Sequence, residues 1–453
     1  MTQPAATSVP AASQKETPRL GYAWYVVLAL TAIYMLSFVD RSILGLLVPQ
    51  IERDLNIKDT EIGLLGGPAF ALFYTFMGLP LGRMVDSLNR SRLVAVCIVV
   101  WSCFTTLCSA AKSFGALFLA RVGVGVGEAG LGPGAYSLIA DYFPREKMGA
   151  AISVYYMGLF FGTSLAQLVG GLTVEKLAHT PLVTVPVLGA IASWRVTFLI
   201  VGLPGVLFAL LALTIREPVR KQLRMDAAGR PARATFREAA AQMRLRWQSV
   251  AGISVGMAFQ SATTYGVSQW AAPYFLRVYG WRAGQTGKTL AFIFVVFACT
   301  GMYVGGWLSD RWQRRGMVDA RLKVGLISAA GILIFLAPST MMPSIAGTLA
   351  MFAPGIFFMA FAMGSTVAAL QVIFPNQVRG QVGALFLLVL NIGGLSVGPL
   401  LPGFLDDHVF HDAKMIGTSL SITVALSAAL MAILLGWAQR HYRRHFRAML
   451  ESA

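Results

Sequence analysis

Twelve apolar runs of about twenty residues or more divide the chain, near residues 24–48, 61–82, 92–111, 115–140, 149–172, 195–215, 250–275, 289–309, 322–342, 345–371, 381–404 and 417–437. About 20 helical residues cross a hydrocarbon layer of ~30 Å. Charged residues make up only 13% of the chain and hydrophobic ones 56%, whereas soluble domains carry about 25% charge. The pattern predicts an all-α membrane protein with twelve transmembrane helices.

The net charge of +17 would suggest a nucleic-acid partner if it were gathered on one soluble face. Instead, most of the 37 Lys and Arg fall in the tails and the even-numbered loops. That asymmetry places both termini in the cytoplasm. The loop Arg216–Trp247 holds nine basic and three acidic residues and reads as a topology anchor near anionic lipid, not as a nucleic-acid site. Met1–Arg19 is polar, with no charged, apolar and cleavage regions in series, so no signal peptide is expected. Cys97, Cys103, Cys108 and Cys299 lie in apolar runs without metal-ligand spacing, and all five histidines fall in loops or tails. No metal or cofactor is expected.

Gly125, Gly127 and Gly130 match the G-x-G-x-x-G spacing of a dinucleotide-binding turn. That turn needs a soluble strand before it and a helix after it, but here the flanks are the rest of the fourth apolar run. At about 100° per residue, Arg121, Gly125, Glu128 and Gly132 share one helix face, while Gly123, Gly127, Gly130 and Gly134 share the opposite one. The second face is a small-residue seam for close helix approach. The first keeps space beside two charges.

Two motifs recur. Gly82 to Arg90 and Gly306 to Arg314 both read G-x-x-x-D-x-x-x-R, with the aspartates Asp86 and Asp310 separated by 224 residues. Phe143-Pro144 precedes Gly149 as Phe374-Pro375 precedes Gly380, 231 residues on. A repeat of half the chain implies two six-helix bundles: residues 21–215 and 248–437, joined by the basic linker 216–247 and flanked by cytoplasmic tails 1–20 and 438–453. Asp86, Arg90, Asp310, Arg311 and Arg314 are the gating candidates, since charges at neighbouring helix ends can pair and hold one face closed.

With these loops, Arg121 followed by glycines, Trp194-Arg195 opening span six and Arg216-Glu217-Pro218 closing it, the chain resembles the major facilitator superfamily over essentially its whole length. Asp40-Arg41 in span one and Val124-Gly-Val-Gly-Glu128-Ala in span four resemble its Spinster-like subfamily. The pattern departs at Ser37, where asparagine is expected, and at Ser87, where arginine is. The resemblance implies a multi-pass cell-membrane transporter rather than an enzyme, acting as a monomer by alternating access on sphingolipid or lysophospholipid species.

Charges inside a span are costly and face a cavity or a partner. Asp40, Arg41, Arg121 and Glu128 are four such charges. Arg121 and Glu128 lie seven residues apart, about 10.5 Å of rise, too far for a direct pair, so Arg41 is the candidate partner of Glu128. Arg121 and Asp40 form the other possible couple. Asp40 and Glu128 read as proton-coupling carboxylates, with a static salt-bridge network as the alternative. The second half has no charge in its span interiors; Tyr265, Trp270 and Asn391, with Gln260, Gln269 and Tyr274 in span seven and Phe357, Phe358 and Phe361 in span ten, are its polar and aromatic supply. Arg41, Arg121, Tyr265, Trp270 and Asn391 are the substrate-binding candidates for an amphipathic molecule. The alternative cargoes are small organic anions such as sugar acids, whose carriers share the Asp-Arg pair and the glutamate, or drugs.

Overall fold

The computed structural model of the chain describes residues 20–178, 180, 182–185, 189–218, 236–374 and 378–451. The N-terminal tail, linker residues 219–235 and Pro375 of the repeated Phe-Pro motif lie outside these. Ten helical stretches are long and apolar enough to cross a membrane: α1 Leu20–Leu55, α2 Asp59–Val85, α3 Arg90–Cys108, α4 Phe114–Tyr142, α5 Lys147–Lys176, α6 Ser193–Leu213, α9 Ala283–Arg314, α10 Ala320–Ser339, α13 Gln381–Phe410 and α14 Ala413–Arg447. Between them come α7, Phe236–Leu245, and α8, Trp247–Val278, 32 residues long but more polar. α11, Ile345–Phe361, is a shorter apolar helix that continues after a turn into α12, Ser365–Val372.

The all-α expectation requires one correction. Leu182–Val185 (β1) and Gly189–Ala192 (β2) form an antiparallel ribbon in which Leu182 faces Ala192. Val183, Thr184 and Val185 are β-branched, a stiffness that suits an extended backbone, and Gly189 supplies a positive φ of 71° at the ribbon's turn.

Proline sets the main helix break. α4 is interrupted between Glu128 and Leu131, because Pro133 cannot donate to the Ala129 carbonyl four residues back and its ring crowds that oxygen. The interruption follows directly on a buried charge. The glycine seam of α4 lies along α3: a Cβ at Gly127 would sit 2.5 Å from the Trp101 nitrogen, and one at Gly130 2.5 Å from Cys97 Sγ. Neighbours Gly123 and Gly134 meet Phe104 and Val94 in the same register.

Within the first half α1 packs on α5, and α3 on α4 and α6; within the second, α8 packs on α13 and α14. The halves meet through α1 with α8, α2 with α13 and α5 with α9. Close backbone approaches between them gather at one end. A Cβ at Gly45 would lie 2.5 Å from the Gln269 carbonyl, one at Gly63 2.8 Å from Leu400 Cα, and one at Gly171 2.6 Å from the Ala283 carbonyl. At the opposite end, in the repeated motifs, Gly82 of α2 and Gly306 of α9 face open space. All four π-helical turns among the described residues, Phe294–Ala298, Ile332–Leu336, Leu390–Leu395 and Asp406–Phe410, belong to the second half.

Candidate transport site

Glu128 ends the first segment of α4 and is fully buried. Its Oε2 accepts hydrogen bonds from Ser37 Oγ at 2.6 Å and Arg41 Nε at 2.7 Å, and lies 2.6 Å from Arg41 Nη2. Ser37 and Arg41 stand one turn apart on α1, so both reach the same carboxylate; Ser37, where the resemblance leads one to expect asparagine, supplies a hydroxyl donor. The Arg41 guanidinium is seated among three rings, 4.4 Å from the centre of Phe70 and 4.9 Å from those of Phe38 and Tyr74. Such faces attract a cation most when water is excluded.

Asp40 points away from this pair, as an adjacent residue on a helix must. Its carboxylate is buried beside Trp101 and Thr105 of α3 but closes no hydrogen bond, and Trp101 Nε1 and Thr105 Oγ1 are themselves unpartnered. The couple of Asp40 with Arg121 takes a different form from the carboxylate pairing of the sequence reading: Arg121 Nη1 donates to the Asp40 main-chain oxygen at 3.1 Å and Nε to the Leu65 carbonyl at 3.4 Å. The guanidinium is thus held by helix backbone, leaving the Asp40 carboxylate without a salt-bridge partner among the described residues.

Between the halves lies a small cavity of about 20 Å³, lined by Arg41, Phe70 and Arg121 from the first half and by Tyr265, Gln269 and Leu395 from the second, among others. That is room for about one water. Both arginines and Tyr265 therefore share one space. Trp270 does not border it: the indole is closed into the core, with Nε1 donating to the Pro399 carbonyl at 2.7 Å. Asn391 sits half-buried in the π-helical turn of α13 and is not among the lining residues. Phe357 meets Phe358 edge-on and Phe361 at a tilt, while Phe358 stacks on Phe335 with the rings 4° from parallel, inside the α9, α10 and α11 packing. Apart from Tyr265, the aromatic supply near the charges comes from the first half, where Tyr34 stacks on Tyr155 at 4.5 Å and Tyr136 bonds to Tyr156. Helix registry decides this, and a run of aromatics alone cannot reveal it.

The repeated loops are not equivalent. Arg90 is buried and bridges Asp141 at 2.5 Å and Glu217 at 2.6 Å, while also donating to Ser137. The Asp86 side chain lies outside what the structure describes. In the second copy Asp310, Arg311 and Arg314 are exposed and form no ion pair among the described residues, although Arg311 lies over the Trp307 ring at 5.2 Å. There the stabilising contact is made by Asp319, which accepts from Arg443 at 2.6 Å and from Gln439. Arg90 to Glu217 joins the start of α3 to the end of α6; Asp319 to Arg443 joins the start of α10 to the end of α14. The repeat keeps the bridge and reverses its sign. Burial pushes the Asp319 carboxyl up, but hydrogen bonds from Arg443 and Gln439 outweigh it and hold the group below the usual carboxylate range.

Sequence reasoning missed the contacts at the end where the halves meet. Arg277, at the end of α8, reaches across to Glu52 at 2.6 Å and holds both oxygens of Asp59 at 2.7 and 2.9 Å. Asp407 of α13 accepts from the Thr60 amide and hydroxyl at 2.7 and 2.6 Å. All of these residues sit at the edges of apolar runs, where charges read as topology signals; acids clustered at two edges facing one arginine at a third were the available sign.

A family model described as Major Facilitator Superfamily matches residues 30–399. A crystal structure of a bacterial homologue of the human lysosomal transporter Spinster, inward-facing and unoccupied, is 28% identical, covers 96% of this chain and 98% of that one, and superposes with a TM-score of 0.75. An MFS-type efflux pump of Mycolicibacterium smegmatis is 28% identical over 93% of this chain and 94% of its own. A hexuronate transporter of Bacillus subtilis is 22% identical over 89% and 93%.

Proposed function

Because the chain belongs to the Major Facilitator Superfamily and is of Spinster-like type, a multi-pass transporter of the cell membrane and not an enzyme, we propose that it moves an amphipathic, lipid-like substrate of sphingolipid or lysophospholipid type by proton-coupled alternating access. In this reading twelve helices span the membrane, in two six-helix bundles, with both termini cytoplasmic and the chain acting as a monomer. α8 and the α11–α12 pair supply the two spans beyond the ten long apolar ones.

One observation carries the reading: a buried Arg41–Glu128 ion pair at the edge of a cavity shared by both halves. A buried ion pair is poor value as stabilisation alone, yet removing one partner leaves an uncompensated charge. Protonating Glu128 would free the Arg41 guanidinium to turn toward an anionic headgroup once the halves widen the cavity, with Arg121 and Tyr265 beside it. Asp40 is the second carboxyl of the relay. A buried carboxyl that closes neither an ion pair nor a hydrogen bond is costly as an anion, and a proton removes that cost. Apposition of the halves at the Arg277 end, and likeness to a homologue solved in an inward-facing conformation, support an inward-facing state in which this site loads from the cytoplasm.

The test is uptake of a labelled lysophospholipid or sphingoid base into proteoliposomes with and without a pH gradient, comparing wild type with Glu128→Gln. Gradient-stimulated uptake lost in the variant is expected. If wild type moves no such lipid while an imposed gradient drives a labelled hexuronate, the cargo assignment falls. That second cargo has its own support: two guanidinia on one small polar cavity suit a compact carboxylate, and the Bacillus subtilis relative is named a hexuronate transporter.

A further inference from the structure

We propose that the outer surface where α8 begins and α14 ends binds the headgroup of an anionic phospholipid from the surrounding bilayer. α14 runs for 35 residues, about 52 Å of helix, against a hydrocarbon layer of ~30 Å. Its last turns therefore stand at headgroup level. The face that leads there is exposed and changes character along its length. Leu426 and Ile433 are 49% and 65% exposed apolar side chains, Trp437 follows one turn later, and exposed Arg440 and Arg444 come next on the same side.

Trp437 is not alone at the boundary. Its ring lies 5.5 Å from that of Trp247, which is 53% exposed at the start of α8, and 5.5 Å from that of His441. Two indoles at one level mark the membrane interface, where an amphipathic ring sits among headgroups. Beyond them cations predominate on the exposed side. Arg246, His441 and Arg444 all surround His445, and α14 contains no acid among its residues Ala413–Arg447. Arg443 is engaged by Asp319, whereas Arg440 and Arg444 have no ion-pair partner among the described residues. Cations above an aromatic shelf, continuous with an apolar stripe, complement a phosphate, a glycerol backbone and an acyl chain in that order. A free phosphate would use only the first of these, so the lipid is the occupant.

The experiment is native mass spectrometry of the full chain released from nanodiscs of equimolar phosphatidylglycerol and phosphatidylcholine. Wild type should retain phosphatidylglycerol in preference. Arg440→Gln with Arg444→Gln should weaken that preference by roughly fivefold for each arginine removed, while Arg282→Gln at the opposite end leaves it intact. Trp247→Phe, which keeps the charges, should reduce retention of the lipid but not of added inorganic phosphate. Equal retention of the two lipids by wild type, an unchanged preference in the double variant, or displacement of the lipid by millimolar phosphate would overturn the proposal. Thermal melts of each variant confirm that the fold is intact; both arginines are exposed, so their loss leaves packing in place.

Discussion

Substituting Gly45 by alanine tests whether the halves part at the Arg277 end. In the observed arrangement the added methyl would lie 2.5 Å from the Gln269 carbonyl oxygen and 3.3 Å from that of Ser268. Both neighbours are backbone of the other half, so α1 or α8 must shift. Overpacking of this kind costs about 1–3 kcal/mol. The cost falls only on the conformation in which α1 and α8 touch, so it moves the two-state equilibrium toward separation at this end by roughly 5- to 150-fold. Spin labels at Arg53 and Arg282, exposed positions on opposite halves, report this directly once Cys103 and Cys299 are replaced. The distance distribution should gain a longer component in Gly45→Ala. The matching control is Gly127→Ala, whose methyl would meet the Trp101 backbone within one half; it should lower thermal stability and leave the distances alone. An unchanged distribution in Gly45→Ala, accompanied by a lower melting temperature, would show that this contact belongs to the static fold and would refute the reasoning.

Arg277→Gln removes the guanidinium that joins Glu52 and Asp59 across the same seam. It should produce the same longer component, and adding Glu52→Gln should change it by less than the sum of the single effects, because the two share one contact. In Arg41→Lys the charge remains but the contact to Glu128 through two nitrogens and the stacking on Phe70 are lost, so gradient-driven uptake should fall at least tenfold with little change in expression; wild-type uptake in this variant would remove Arg41 from the mechanism. Asp319 provides a pH test. Its folded pKa lies below its unfolded value, so the stability it adds is present above the ordinary aspartate range of roughly 4 and is lost as pH falls through the folded pKa. Asp319→Asn should therefore lower the melting temperature at pH 7, by a change of about 1 kcal/mol, and the gap to wild type should close below about pH 4. A gap independent of pH would assign the effect to packing.

The sequence by itself determined the class of fold, the repeat and the charges inside the first half's spans. Long apolar runs leave little choice but membrane helices, and a charge inside such a run stands out because it is expensive there. The two faces of α4 were also legible, since the turn of a helix converts residue spacing into direction; the seam from Gly123 to Gly134 lies along α3 as that geometry requires. Tertiary structure decided which partner each charge meets. Arg41 reaches Glu128 because α1 and the break after Glu128 bring them level, whereas Arg121 takes main-chain carbonyls and leaves the Asp40 carboxylate without a bond. It also added first-half aromatics to Tyr265 beside the charges, closed Trp270 into the core and reversed the sign of the bridge that the repeat conserves. Periodicity along one helix specifies a direction around its own axis. It carries no information on the rotation and register of the neighbouring helix, and those two quantities set every contact of the site.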